Sequence, residues 1–154
     1  MIDKPQIVKT QALRTAVIRF TIPRSEIQKV MGPAIGEVMG AIAAQGVAQA
    51  GPVFSHHFRM DPDTFDFEVG IPVTGTVSET GRVKMSQLPA ATVARTVYQG
   101  PYEGLGAAWG EFEKWIVTEG HTSAASLWEF YTAGPESGPD PAKWRTELNR
   151  PLDV

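Results

Sequence analysis

The chain of 154 residues contains no cysteine. That excludes disulfides, thiolate zinc sites and thiol nucleophiles together, and says nothing positive about compartment. A basic excess is also missing, since 14 Lys and Arg against 17 Asp and Glu leave a formal charge of -3. A chain whose affinity came from neutralising phosphates would carry the opposite sign, so direct nucleic-acid binding is not expected. The longest apolar stretch, around residues 35–53, is broken by Glu37, two glutamines and several glycines, and cannot span a bilayer. Its first residues, Met1-Ile2-Asp3-Lys4-Pro5, lack the basic-then-apolar layout of a secretion signal, which makes the cytoplasm the expected location. There is no phosphate-cradling glycine loop, no glycine-flanked nucleophilic serine and no HExxH.

What is present suits a globular domain. Apolar residues make up 42% of the chain and aromatics 9%, enough to bury one core, and the length fits a single domain of about 150 residues. Residues 7–22 mix β-branched and apolar positions with polar ones and close at Pro23, which predicts a strand. From 24 to 45 the apolar residues Ile27, Val30, Met31, Ala34, Val38 and Ile42 fall at helical spacing, with Gly46 as the stop. Gly32-Pro33 predicts a break into a short helix and a longer one starting at Pro33. Two strand-like runs, 52–59 and 64–73, flank the turn Met60-Asp61-Pro62-Asp63 and predict a hairpin. In its second run Phe65, Phe67, Val69 and Ile71 alternate with Thr64, Asp66, Glu68 and Gly70, which predicts one inward face and one solvated face.

The order then begins again. Extended material over 83–98 leads through Pro101-Tyr102-Glu103 to a helix striped by Leu105, Ala108, Trp109, Phe112 and Ile116 and stopped at Gly120. Strands over 126–132 and 144–152 follow, separated by a Gly- and Pro-rich segment at 133–141. Both halves read strand, helix, strand, strand, and share a proline before the helix (Pro23, Pro101) and near the end (Pro72, Pro151). Pattern alone leaves open a true repeat or two unrelated halves.

One carboxylate stands out. In Ser126-Leu127-Trp128-Glu129-Phe130-Tyr131-Thr132, strand alternation puts Leu127, Glu129 and Tyr131 on one face and Trp128, Phe130 and Thr132 on the other. That face is either plain solvated surface or the lining of a cleft. In a cleft, a carboxylate walled by aromatics is poorly solvated. It could pair with a flat organic cation, helped by cation–π contact, or act as a general acid or base. His56 and His57 are adjacent on a strand and point to opposite faces, so they cannot chelate one metal ion locally, and His121 lies in a distant loop. Structural or solvated histidines are the simpler reading. Either ring could reach a cleft as a hydrogen-bonding group. Trp109, Phe112 and Trp115 read as core-facing, with Trp115 at the stripe's margin. The dispersed Arg14, Arg19, Lys29, Arg82, Lys84 and Arg95 read as solvated surface.

The ordered combination of Val97-Tyr98-Gln99-Gly100-Pro101-Tyr102-Glu103, Leu105…Trp109…Phe112…Trp115-Ile116, Trp128-Glu129-Phe130-Tyr131 and the closing Thr146-Glu147-Leu148-Asn149-Arg150-Pro151-Leu152 resembles the GyrI-like small-molecule-binding domains. These are similar to the effector-binding part of AraC-type and MerR-type multidrug-responsive activators. The resemblance implies an α+β fold: one domain over residues 1–154 made of tandem βαββ repeats, at about 7–74 and 82–153, with pseudo-two-fold symmetry. Antiparallel sheet and helices would frame a groove between the repeats for amphipathic, often cationic, aromatic compounds. Glu129 matches the family's central pocket glutamate, and Tyr131, Tyr98 and Trp109 fall where it has pocket aromatics; His56 is added as a ligand-side hydrogen-bonding candidate. Stand-alone members hydrolyse cyclopropane-bearing DNA-alkylating compounds with the pocket Glu and neighbouring aromatics, and others are described as gyrase inhibitors. No helix-turn-helix accompanies the domain, so a one-chain DNA-binding activator is not expected. Three functions follow: a binding module that sequesters or senses a ligand, a hydrolase in which Glu129 and Tyr131 would be the catalytic pair, and a protein that touches gyrase or a regulator. None calls for a cofactor or metal.

Overall fold

The computed structural model describes residues 2–134 and 138–153, and part of the Gly- and Pro-rich segment, residues 135–137, lies outside them. Its described residues form an α+β fold whose paired strands are antiparallel, in two compact units: Gln11–Ala90, and Met1–Thr10 with Ala91–Val154. The expected single strand over 7–22 is two strands, β1 (Gln6–Lys9) and β2 (Leu13–Pro23). They belong to different units, with β1 pairing β6 (Thr92–Gln99) and β2 pairing β4 (Thr64–Pro72).

The unit Gln11–Ala90 holds β2, α1 (Ile27–Ala44), β3 (Phe54–Met60), β4 and β5 (Lys84–Leu88). Its ladder runs β3-β4-β2-β5. Period-two alternation sends Ala16, Ile18 and Phe20 of β2 and Phe67, Val69 and Ile71 of β4 to one face, where they form a core with Ala34, Val38, Ala41 and Ile42 of α1. Each large aliphatic side chain buried there contributes roughly 1.5–3 kcal/mol.

The predicted break at Pro33 is absent: α1 is continuous with Pro33 inside it. Proline removes one N–H, which would have bonded the carbonyl of Lys29. Both residues lie on the exposed side, where water can satisfy that carbonyl, and the buried stripe on the other side holds the helix together. The expected solvated face of β4 is also corrected, because every residue from Asp66 to Pro72 is buried. An interior strand is crossed by side chains from the other strands of its ladder. Arg19 Nη2 pairs with Asp66 at 2.8 Å and its guanidinium lies 4.3 Å over the Phe58 ring, while Ser86 Oγ donates to Glu68 at 2.8 Å.

The other unit holds β1, β6, α2 (Leu105–Thr118), β7 (Thr122–Ser123), β8 (Leu127–Ala133) and β9 (Arg145–Asp153). Its ladder runs β1-β6-β9-β8, with β7 on the end of β9. Ala94, Tyr98, Leu148 and Leu152 of the sheet pack against Ala108, Phe112 and Ile116 of α2.

Both helices start and stop by the same devices. Neither has a side-chain cap at its start; each is led by a 3-10 turn, Arg24–Glu26 after Pro23 and Tyr102–Gly104 after Pro101. At the C-terminal ends Gly46 (φ 67°) and Gly120 (φ 81°) take the left-handed conformation. The Schellman bonds follow: Val47 N–H to Ile42 O at 2.9 Å, and His121 N–H to Ile116 O at 3.0 Å. Among the described residues no helix is long and apolar enough to cross a membrane.

Candidate functional site

The site is built on β8 and α2. In the ladder Glu129 pairs with Leu148 and Tyr131 with Thr146. Leu148 belongs to the core under α2, so Glu129 and Tyr131 project on the helix side of this sheet, while Trp128 and Phe130 project on the other. Trp109 is the fifth residue of α2, one turn before Phe112 and on the flank of the buried stripe, which carries its indole over β8.

Glu129 is 8% exposed. The indole N–H of Trp109 donates to its Oε2 at 2.6 Å, and the Tyr131 hydroxyl donates to its Oε1 at 2.8 Å. An indole nitrogen can only donate, so Oε2 meets it as an acceptor, and both carboxyl oxygens are held in place by neutral donors. Around this pair the rings continue: Tyr102 meets Tyr131 edge-on at 5.9 Å and 70°, and meets Trp144 at 4.9 Å and 38°. The ladder shifts register between Tyr131 and Ala133, a bulge that turns the end of β8 just beyond the tyrosine.

Of the expected site residues, Glu129, Tyr131 and Trp109 are brought together. Tyr98 is 5% exposed in the core of the same unit, and its hydroxyl donates to Pro101 O at 2.8 Å. His56 is on β3 in the other unit, 5% exposed, opposite Glu68 in the ladder, with its ring 4.5 Å from Phe58. Burial, and secondarily the positive charge of Arg19, lowers its pKa to about 4, so it is a neutral imidazole at pH 7. Tyr102 and Trp144 are the two rings not expected at this site. Tyr102 was visible only as part of Gly-Pro-Tyr before the helix, and Trp144 only as the start of a strand, so no spacing linked either to Glu129. Among the described residues no three His, Asp or Glu side chains come close enough to hold a metal ion.

Across residues 3–153 the sequence matches the GyrI-like small molecule binding domain. No curated protein matches it. Solved structures share its fold at low identity. The C-terminal domain of EcmrR is 22% identical with a TM-score of 0.85, each chain covered over 97% of its length. The chain spans 57% of the length of the EcmrR chain in a complex with DNA. A hydrolase from Listeria innocua is 16% identical, with a TM-score of 0.67 over 97% of this chain and 92% of that one. SAV2435 bound to tetraphenylphosphonium is 13% identical, with a TM-score of 0.70 over 98% and 94% of the two chains.

Proposed function

The chain belongs to the GyrI-like small-molecule-binding domain family, and on that premise we propose that it binds amphipathic, cationic aromatic molecules at Glu129, sequestering or sensing them. The observation that carries this reading is a buried carboxylate presented between aromatic side chains, with Trp109 and Tyr131 hydrogen-bonded to its two oxygens. A buried negative charge attracts a cation more strongly than an exposed one, because little water screens it. Aromatic faces add cation–π and stacking contact with a flat ligand. The two fixed donors hold the carboxylate in one orientation, so little ordering is left to the moment of binding. The tetraphenylphosphonium held by a protein of the same fold supports a ligand of this class. Within the proposal, the two compact units are two copies of one βαββ pattern in a single domain.

The test is titration with tetraphenylphosphonium and a rhodamine dye, followed by tryptophan fluorescence. Glu129→Gln keeps the shape and removes the charge, and should weaken binding by about 2 kcal/mol, roughly thirtyfold. Equal affinity in wild type and variant removes Glu129 from the centre of the site.

A second reading is hydrolysis of a cyclopropane-bearing alkylating compound. It is favoured by a carboxylate held in one orientation by two donors, a group able to take a proton from water, and by a hydrolase-named protein of the same fold. Mass spectrometry of such a compound incubated with catalytic amounts of protein would show a water adduct over many turnovers; none means binding alone. Gyrase as a partner rests on the family resemblance, and unchanged supercoiling at micromolar protein would exclude it.

A further inference from the structure

The turn from β6 into α2 is wrapped around one phenol. Tyr98 donates its hydroxyl to Pro101 O at 2.8 Å, and the same carbonyl accepts from Gly104 N–H at 3.1 Å. A Cβ at Gly104 would collide with the Tyr98 hydroxyl, and one at Gly100, whose φ is +145°, would come within 2.7 Å of it. Gly100 N–H also donates to Trp144 O at 2.9 Å, so this turn holds the backbone of Trp144 as well. Tyr102 rides in the turn, with its ring against Trp144 on one side and Tyr131 on the other. Tyr131 in turn holds Glu129.

The other unit makes the same passage without a hydroxyl. Phe20 stands three residues before Pro23, and Glu26 precedes its helix where Gly104 precedes α2. A 3-10 turn and a helix form there all the same. Neither the phenolic oxygen nor the glycine that makes room for it is needed for this piece of fold, and both occur where the turn carries Tyr102.

We propose that Tyr98 is a positioning residue that acts through Tyr102: its buried hydroxyl pegs the Gly100–Gly104 turn so that Tyr102 and Trp144 form an aromatic wall beside the Glu129–Tyr131 pair, and that wall selects ring-bearing cations. This rests on the reading of Glu129 as a cation site. Tyr98 then serves the site from the core beneath it, as a residue the ligand does not touch.

The experiment is a double-mutant cycle read by tetraphenylphosphonium binding, with urea midpoints measured alongside. Tyr102→Ala should weaken binding about tenfold and Tyr98→Phe about fivefold, the scale of one lost hydrogen bond. Tyr98→Phe should have no further effect in the Tyr102→Ala background. Gly104→Ala, which pushes the turn off the phenol from the other side, should show the same loss and the same dependence on Tyr102. A purely structural Tyr98 would lower the urea midpoint and weaken binding by the same factor in both backgrounds, and that result overturns the positioning role. So does wild-type affinity in Tyr98→Phe. If Glu129→Gln binds like wild type, or wild type shows no saturable binding, the cation-site reading fails and takes this role with it. Loss in Glu129→Gln with equal factors in the two backgrounds overturns the positioning role alone.

Discussion

Three residues before Pro72 of β4 and Pro151 of β9 stand Val69 and Leu148, whose partners on β3 and β8 are Ser55 and Glu129. Two residues earlier, Phe67 pairs with His57 and Thr146 with Tyr131. The fifth residue of each helix is Met31 or Trp109. In the unit Gln11–Ala90 these positions are filled as core: His57 stacks on Phe67 at 5.0 Å and 15°, and Phe67 stacks on Phe20 at 5.5 Å. In the other unit the smaller Thr146 underlies Tyr131, and a carboxylate with two donors occupies the place of Ser55 and its surroundings. The same strand, helix, strand, strand order therefore supports either a packed face or a charged one. Backbone pairing and the helix stripe make the architecture, and a few side chains on the shared face decide whether it is filled as core or presents a carboxylate between aromatic rings.

The contrast is broken most severely one residue further along, where Gly70 in one unit corresponds by count to Asn149 in the other. A Cβ at Gly70 would collide with the backbone carbonyl of Ala16. Gly70→Ala should cost about 4 kcal/mol by denaturant unfolding, since backbone on a central ladder cannot move aside cheaply. Asn149→Ala, which loses the 2.7 Å bond from Arg95 Nε, should cost only about 1–2 kcal/mol. Equal costs would mean that the tight approach of β2 and β4 relaxes.

Writing one unit's residues into the other sharpens the comparison. Trp109→Met, Glu129→Ser and Tyr131→His together should reduce tetraphenylphosphonium affinity by about a hundredfold, roughly 2.7 kcal/mol. Cooperative unfolding should remain, because the other unit folds with those residue types. Retained binding in the triple variant would place recognition elsewhere.

Acid should separate the units as well. The unit Gln11–Ala90 carries both perturbed histidines, each with its pKa lowered to about 4 chiefly by burial; Arg19 adds to this for His56, and His56 and Arg24 for His57. A neutral histidine in the fold that binds a proton readily when unfolded makes the unfolded state the greater proton binder. Stability is then complete above the unfolded value of 6.5 and falls as pH drops toward 4. A progressive loss of stability across that window is expected in urea unfolding. His57→Phe should flatten the slope, and an unchanged slope would show that His57 does not take up the proton on unfolding.

The smallest effect is expected at Pro33, since α2 carries no proline. Pro33→Ala restores the bond to Lys29 O and should raise stability by about 1 kcal/mol, less than the usual interior-proline penalty because the site is exposed. A loss of stability would mean that the proline's fixed φ helps the helix.

Several elements were legible because their signals are local. The stripes Ala34-Val38-Ile42 and Ala108-Phe112-Ile116, the stops at Gly46 and Gly120, and the Asp61-Pro62 turn each depend on residues close in sequence. Glu129 and Tyr131 were legible as a pair because strand alternation alone puts them on one face. The failures have a common cause. The join of β1 to β2 looked continuous because nothing between Lys9 and Leu13 shows that the two strands pair with different partners. Asp66 and Glu68 looked solvated because polar residues signal exposure unless a cross-strand cation or hydroxyl reaches them, and Arg19 and Ser86 are 47 and 18 residues away. Pro33 looked like a break because propensity does not record a buried stripe on the opposite side.

By itself, the sequence determined the class of chemistry available. With no cysteine and a slight acidic balance, what remained was a carboxylate, aromatic faces and neutral donors, since residue type alone sets charge, polarity and ring content. Only the tertiary structure decided which donors and rings meet that carboxylate. Trp109, 20 residues from Glu129, arrives by helix packing, and Tyr102 and Trp144 arrive by a turn wound on Tyr98. Such meetings depend on how strands register and helices rest on sheets, and no stretch of contiguous residues encodes that distance.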